Sequence, residues 1–263
     1  MTSTVGGKYR GRLWLPALLL AVAAMAAGAE ELTPAQQAQS SVQAARLEMG
    51  CGNLAKAVEL LQYARDLQPQ WIVPHTYLAL AFQKQADQEK AVAEYTLVQA
   101  QNYDSLPSGR TNPPESKDAV LKAEATTLWL VNQTRQENQL ALLRPDPRLA
   151  VAAREHSLEM RDLAYFEHSS PTESLRTPMD RFRAVFNFLP RCIAENIARR
   201  WGGDSQCFTL ERVADTHRDF LNSPAHRDNL MLSEVTCAAI GIALNAQGHY
   251  WLTEEFVKYS GQD

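Results

Sequence analysis

One histidine stands at a helix-start signal, where its imidazole could do chemistry. The stretch is Ser223-Pro224-Ala225-His226-Arg227. Serine is a preferred N-cap, and proline suits the first helical position, where no N–H is needed. His226 then falls in the first turn, where the positive end of the helix dipole disfavours an imidazolium. We therefore predict a neutral His226 near pH 7, able to ligate a metal or accept a proton; the alternative is a histidine that only packs and hydrogen-bonds.

The whole chain has an ordinary globular composition. It has 263 residues, of which 45% are hydrophobic and 21% charged, and its formal net charge is −4. This length indicates about two domains. Because there is no surplus of basic residues, nothing in the charge points to nucleic acid as a partner.

Residues 1–29 have the pattern of an export signal. Lys8, Arg10 and Arg12 precede an apolar run over residues 13–27, and Ala27-Gly28-Ala29 offers small residues for a signal peptidase. The alternative is a retained N-terminal anchor. We predict an exported protein, periplasmic or extracellular after removal of the signal.

Export would permit disulfide bonds between the four cysteines. Cys51 lies far along the chain from Cys192, Cys207 and Cys237. We expect one bridge among the last three and two free thiols, with the pairing left open. The spacing matches no zinc-ribbon pattern.

A period of 34 residues recurs within residues 30–103. Shifting the sequence by 34 aligns Ala45 with Ala79 and Ala57 with Ala91, and small residues at such positions let helices pack closely. The pattern resembles two units of the tetratricopeptide repeat, which implies an all-α pair of helical hairpins that docks an unknown protein or cell-envelope partner. The alternative is a helical prop for the neighbouring domain.

A segment rich in proline and glycine, residues 104–116, then predicts a linker. In residues 117–263, apolar spacing predicts helices over about 118–138, 149–163, 179–182 and 208–222. Strand-like runs cover 193–198, 239–244 and 250–257. Helices around a small antiparallel sheet indicate an α+β or three-layer architecture.

Residues 128–256 resemble the CAP superfamily domain (cysteine-rich secretory, antigen 5, pathogenesis-related-1) in its bacterial form. The motifs that carry the resemblance follow one another in family order: Leu128 to Arg135, Leu143 to Leu149, Tyr165 to Pro171, Ala194 to Ala198, Ser223 to Arg227 with Asn229, and Ile240 to Ile242 with Tyr250 to Glu254. The resemblance implies an α-β-α sandwich with a central groove.

The same resemblance implies a His/Glu cluster that holds a divalent metal in some members. The matching positions here are His168, Glu195 and His226. Small alanines replace two family glycines, at positions 194 and 225. Glu254 stands where the family has glutamine, which puts an extra carboxylate either near the groove or pointing away from it.

Two histidines and a carboxylate with an open position form a working ligand set for a metal such as zinc, and the ion would polarise a water or a carbonyl. The candidates for a catalytic role are therefore His168, Glu195, His226 and Glu254. A hydrogen-bonded His/Glu network without metal explains the same residues. The chain has no Gly-x-Ser-x-Gly elbow that would indicate a serine hydrolase.

The remaining polar residues are expected to be structural. We expect His156 in the core, His75 packed in the repeat, His217 in solvent, Asn196 fixing backbone beside Glu195, and Arg227 paired with a carboxylate.

Three functions remain open. The first is an exported binding module whose groove takes a lipid, a peptide or an envelope component. The second is a metal-dependent, peptidase-like hydrolase that uses His168, Glu195 and His226, and the third is a structural adaptor that acts through the helical repeats. The resemblance favours the first, because clear catalysis is not general in this superfamily.

Overall fold

The described part of the chain begins with helices and ends with a sheet. The computed structural model describes residues 32–201 and 208–260, so the predicted export signal over 1–29 and Cys207 lie outside the described residues. The elements in chain order are α1 Pro34–Gly50, α2 Leu54–Leu67, α3 Ile72–Lys84, α4 Gln88–Ala100, α5 Lys117–Glu137, β1 Arg144–Pro145, α6 Pro147–Asp162, α7 Pro178–Phe186, β2 Pro190–Arg200, α8 Leu210–Asn222, α9 Pro224–Met231, β3 Cys237–Leu244 and β4 Tyr250–Tyr259. Over these residues, none of the helices combines the length and apolar character that crossing a bilayer requires.

Helices α1 to α4 form the two predicted hairpins. Thr33 and Gln36 start α1 with a capping box, in which each side chain binds the other residue's backbone N–H. The turns within the two hairpins have positive φ at Gly52 and at Ala86. The assignment of these hairpins to the tetratricopeptide family stays a prediction.

The sheet has the strand order β1-β3-β4-β2. Strand β4 pairs antiparallel with both β2 and β3, whereas the two-residue β1 pairs parallel with the start of β3. Helices α6 and α7 cover one face, and α5, α8 and α9 form the layer on the other. The α+β class and the α-β-α sandwich are confirmed, with β1 as the one strand that is not antiparallel.

Helix α6 lies unusually close to the sheet at Gly241. A Cβ added there would come within 2.2 Å of backbone atoms of Ala153 and Arg154. Only glycine therefore lets β3 and α6 approach to this distance.

The helical hairpins share a core with the sheet. One buried apolar cluster runs from α1 to β4. The outer edge of β3 beyond β1 is closed by side chains, because Gln99 of α4 donates to Ile240 O at 2.9 Å and Glu124 of α5 accepts from Ile242 N at 3.0 Å. Unpaired strand edges are otherwise sites of aggregation.

Asn112 extends this closure from the predicted linker. Its Nδ2 donates to Ile242 O at 2.8 Å, and its Oδ1 accepts from Leu244 N at 2.7 Å, as a neighbouring strand would. Asn112 is buried. The segment 104–116 thus contributes to the sheet as well as connecting the two regions.

The described cysteines are not paired with one another. Cys51, Cys192 and Cys237 carry free thiols, and Cys51 is exposed. The expected bridge among the last three cysteines is therefore not formed between Cys192 and Cys237.

Candidate functional site

The site begins with a hydrogen bond between His168 and Glu195. His168 lies in the loop after α6, Glu195 lies on the edge strand β2, and Nδ1 of the histidine is 2.8 Å from Oε1 of the carboxylate. The His168 side chain is 53% exposed, whereas that of Glu195 is 2% exposed. A buried carboxylate therefore holds an imidazole at the surface.

Arg181 of α7 occupies the second oxygen of Glu195. Its Nη2 donates to Oε2 at 2.5 Å, and its Nη1 donates to the carbonyls of His168 and Leu175. Burial by itself raises the pKa of Glu195, but the His168 hydrogen bond and the Arg181 charge outweigh burial and lower it. Glu195 is therefore ionised and can only accept, so His168 Nδ1 carries the hydrogen and Nε2 stays available.

Glu255 lies directly opposite Glu195 across the β2–β4 ladder. Burial, followed by the charge of Glu195, raises the pKa of Glu255 well above its ordinary value. A protonated Glu255 can donate to Glu195, whereas neither of its oxygens accepts a hydrogen bond from the described residues. The two carboxyl groups thus form an acid–carboxylate pair beside Arg181.

His156 completes the buried surroundings of Glu195. Its Nε2 is 3.9 Å from Glu195 Oε2, and its Nδ1 is 3.3 Å from the Tyr165 hydroxyl. Burial lowers the pKa of His156 to about 4, so the ring is neutral at pH 7. His156 is a core histidine, as expected.

A second network lies on the other face of β2, because neighbouring strand residues point to opposite faces. Asn196 Nδ2 donates to His226 O at 3.1 Å and to Glu254 Oε2 at 3.0 Å. Asn229 Nδ2 donates to Asn196 Oδ1 at 2.9 Å and to Glu195 O at 3.1 Å. Asn196 therefore fixes the backbone of α9 at His226 and not, as expected, the backbone beside Glu195, which Asn229 binds.

Glu254 belongs to this second network and not to the His168 face. It is fully buried, and burial raises its pKa to about 8. The outward orientation that the sequence allowed is therefore wrong, because the carboxyl is buried inside the sandwich, where it accepts from Asn196.

His226 stands at the first turn of α9, as predicted. Its Nδ1 is 2.8 Å from Ser223 Oγ, so this hydroxyl binds the imidazole and makes no side-chain cap to the helix backbone; the expected cap is wrong. Burial first, and the nearby His168 second, lower the pKa of His226. A lowered pKa supports the expected neutral ring. The two histidines interact electrostatically, although they come from opposite faces of β2.

The fit of a metal to these residues is limited. Among the residues that the structure describes, no group of three or more His, Cys, Asp or Glu side chains is arranged to hold a metal ion. Glu195 is 2% exposed and already binds His168 and Arg181, so the structure does not show the three-residue ligand set assembled. The second nitrogens of His168 and His226 are left as donors, and the predicted metal ligands stay a prediction.

Two expectations for polar residues are wrong. His217 is buried, with Nε2 2.8 Å from Thr134 Oγ1 and a pKa that burial lowers to about 4. Arg227 donates to the carbonyl of Leu221 at 3.4 Å instead of pairing with a carboxylate. His75 packs in the helical region as expected, 2.7 Å from Glu94 Oε2.

Sequence reasoning missed Arg181 and Glu255. Arg181 lies in the predicted short helix over 179–182, but its burial depends on Glu195, 14 residues further along the chain. Glu255 carried a detectable signal. It follows Glu254 in an apolar run, and strand alternation puts one of two consecutive glutamates on each buried face.

Comparison with known proteins agrees with this architecture. Residues 128–256 match the model of CAP, the cysteine-rich secretory protein family. The chain is 31% identical over 182 residues to the protein YkwD of Bacillus subtilis (strain 168), a match that covers 69% of this chain and 60% of that protein. The chain thus spans about 60% of the length of this curated relative.

Two solved structures are also similar. An extracellular protein with an SCP domain from Bacillus anthracis str. Ames has 29% identity and a TM-score of 0.45, over 56% of this chain and 44% of that one. An outer surface protein of Borrelia burgdorferi has 18% identity and a TM-score of 0.45, over 53% of this chain and 94% of that one. Residues 128–256 are thus similar to the CAP family, whose model they match.

Proposed function

We propose that this chain is an exported binding module whose ligand lies against His168 and His226 in the CAP domain. The observation that carries the proposal is the engagement of both Glu195 oxygens, one by His168 and one by Arg181. Such a carboxylate positions an imidazole and neutralises a buried cation. Its side chain is 2% exposed, so a water has little access to the lone pairs that remain on its oxygens, as general-base catalysis would require.

The same observation argues against the metal-dependent hydrolase. Hydrolysis would need Glu195 to ligate a metal or activate a water, and a side chain that is 2% exposed and held by His168 and Arg181 offers little access for either role. Glu254, the other acidic candidate, is fully buried on the opposite face. The proposal therefore assigns Glu195 to positioning, and we favour binding over catalysis.

A divalent ion such as zinc remains part of the proposal through the two imidazoles. A carboxylate that accepts from Nδ1 of a histidine raises the basicity of its Nε2 and fixes the ring, which is the usual surrounding of a metal-binding histidine. When bound, the ion would supply a positive charge for an anionic or carbonyl group of a ligand.

Export is supported by the signal pattern of residues 1–29. It agrees with the description of the Bacillus anthracis neighbour as extracellular and with that of the Borrelia neighbour as an outer surface protein. We propose a periplasmic or extracellular location on this basis.

We also propose that helices α1 to α4 bind a partner, which is an unknown protein or an envelope component. Because these helices share a core with the sheet, they also serve as a structural support. Both roles are compatible, since Leu47 of α1 and Leu97 of α4 are exposed apolar residues that the core does not use.

Zinc calorimetry of the mature full chain tests the proposed site at His168 and His226. His168→Ala combined with His226→Ala should abolish zinc binding while thermal unfolding stays cooperative. His249→Ala is the matched control and should keep the wild-type affinity. Equal zinc affinity in the double variant would refute the two-imidazole site, and native mass spectrometry with elemental analysis would show any ligand or metal carried from the cell.

A further inference from the structure

A row of stacked side chains extends the site along the edge strand. Glu195, Ile197 and Arg199 alternate with residues of the opposite face, so they share one face of β2, and Trp201 follows directly after the strand. Phe166 reaches this row from the loop that carries His168. We call Phe166, Arg199, Trp201 and His249 the aromatic strip.

Ring contacts hold the strip in place. The Arg199 guanidinium carbon is 4.8 Å from the ring centre of Phe166 and 5.1 Å from that of Trp201. The Trp201 ring centre lies 4.9 Å from that of His249 and 5.7 Å from that of Trp251. A planar cation is thus stacked between two aromatic side chains, as arginine favours.

Three features of the strip point to a ligand. Trp201 is 57% exposed although two rings fix its position, so its apolar face is offered to solvent. Arg199 forms no ion pair with a carboxylate among the described residues, which leaves its charge available to an anion. Beneath Trp201, the Trp251 side chain is 95% buried and its indole N–H has no hydrogen-bond partner there, an arrangement that costs free energy unless something else satisfies it.

We propose that the aromatic strip binds a glycan chain that carries carboxylates. The C–H faces of a sugar ring pack on an exposed indole, because the ring face is apolar and flat. A guanidinium binds a carboxylate through two parallel hydrogen bonds. Phe166 and Trp201 flank Arg199, so two sugar faces and one carboxylate between them match the order of side chains in the strip.

Single-stranded nucleic acid also stacks on aromatic residues beside arginine, but it needs a cation for each phosphate along its path. The strip offers one arginine, and the whole chain has a net charge of −4. Electrostatics therefore favours a ligand with sparse negative charges over a polyanion.

This inference rests on the proposed binding function and names its ligand class. The two can fail separately. Zinc titration of the variant that lacks both His168 and His226 tests the proposed binding site. Glycan titration of variants in the aromatic strip tests the ligand class.

The experiment titrates the full mature chain by calorimetry with soluble glycan strands of alternating N-acetylglucosamine and N-acetylmuramic acid. These strands carry a carboxylate on every second sugar, and chitohexaose serves as the neutral counterpart. We expect the acidic strands to bind more tightly. Trp201→Ala should weaken both glycans about tenfold or more, and Arg199→Gln should weaken only the acidic strands, by about tenfold.

Leu189→Ala is the matched control, since it removes an exposed apolar side chain directly before β2, at the opposite end of the strand from Trp201, and it should bind like the wild type. Trp201→Phe keeps a ring and should retain most of the affinity. Because Trp201 is exposed, its variants should unfold at the wild-type temperature, and the shift of tryptophan emission on binding gives a second readout in the unmodified chain.

Four results would overturn the proposal. They are the absence of glycan binding by the wild type, equal affinities for acidic and neutral glycans, wild-type affinity in Trp201→Ala, and tighter binding of an oligothymidylate than of the acidic strands.

Discussion

Glu195 and Glu255 face each other across strands β2 and β4, both buried, with one negative charge between them balanced by Arg181. The pair explains how an edge strand can carry a carboxylate inside a sandwich. One carboxyl keeps its proton, the other accepts from a cation and an imidazole, and no net charge is left buried without a partner.

Removing the positive charge of Arg181 should lower the free energy of unfolding. Arg181→Met leaves Glu195 buried without its ion-pair partner, and losing one member of a buried pair typically lowers the free energy of unfolding by about 3–5 kcal/mol. Urea unfolding at pH 7 measures the change.

Arg183→Met is the matched control on the same helix. Arg183 is exposed and lies 3.8 Å from Asp180, so its loss should cost less than about 1 kcal/mol. Similar losses for the two variants would show that Arg181 does not neutralise the pair.

Glu254 should make stability depend on pH. Its pKa is about 8 in the folded chain, above the ordinary value of 4.5, so its contribution is fully present below pH 4.5 and is lost as the pH rises through 8. In that window it lowers the free energy of unfolding by up to about 1.4 kcal/mol per pH unit. Glu254→Gln, which keeps an acceptor for Asn196, should flatten the decline between pH 5 and pH 8 in urea unfolding.

Glu115→Gln, at an exposed position, should leave this decline as it is in the wild type. A Glu254→Gln chain with the wild-type slope would contradict a proton held on Glu254.

Asn112 should stabilise the sheet as a strand would. Asn112→Ala leaves the Ile242 carbonyl and the Leu244 N–H of β3 without its side chain, and unpaired buried groups cost about 1–3 kcal/mol each. We expect a fall of about 2–4 kcal/mol in the free energy of unfolding, with increased aggregation on mild heating. Asn138→Ala, which removes one hydrogen bond to Thr134 O at an exposed helix end, is the control and should cost less than about 1 kcal/mol.

Gly241 should tolerate no side chain. In Gly241→Ala the new Cβ would overlap the α6 backbone, so α6 must move away from β3, and we expect a loss of about 3 kcal/mol or more in thermal or urea unfolding. Gly50→Ala meets no atom within 4 Å and should change stability by no more than about 1 kcal/mol. Equal effects at the two glycines would contradict the close approach of β3 and α6.

Local patterns predicted most elements, because periodicity and caps are local properties. The helix start at Pro224 and the strands around Glu195 and Glu254 follow from such signals. Strand β1 could not be predicted in this way, since Arg144–Pro145 is too short for any period and pairs only through β3.

The candidate site was predictable only in part. The family resemblance selected His168, Glu195 and His226, and the structure joins the first two directly. His217 was misplaced, although its spacing from Val213 and Phe220 puts it on the buried stripe of α8. Arg181 shows the limit of the sequence, because only its distant partner makes its burial favourable.

The proposed binding function depends most on His168 and His226 acting together across the edge of β2. Histidine titration by NMR, on metal-free wild-type protein and on His168→Ala, tests this directly. We predict that the pKa of His226 lies below its ordinary value of 6.5 in the wild type and rises when His168 is removed, because the electrostatic interaction with His168 that lowers this pKa is lost. An unchanged pKa of His226 in His168→Ala would contradict a shared site.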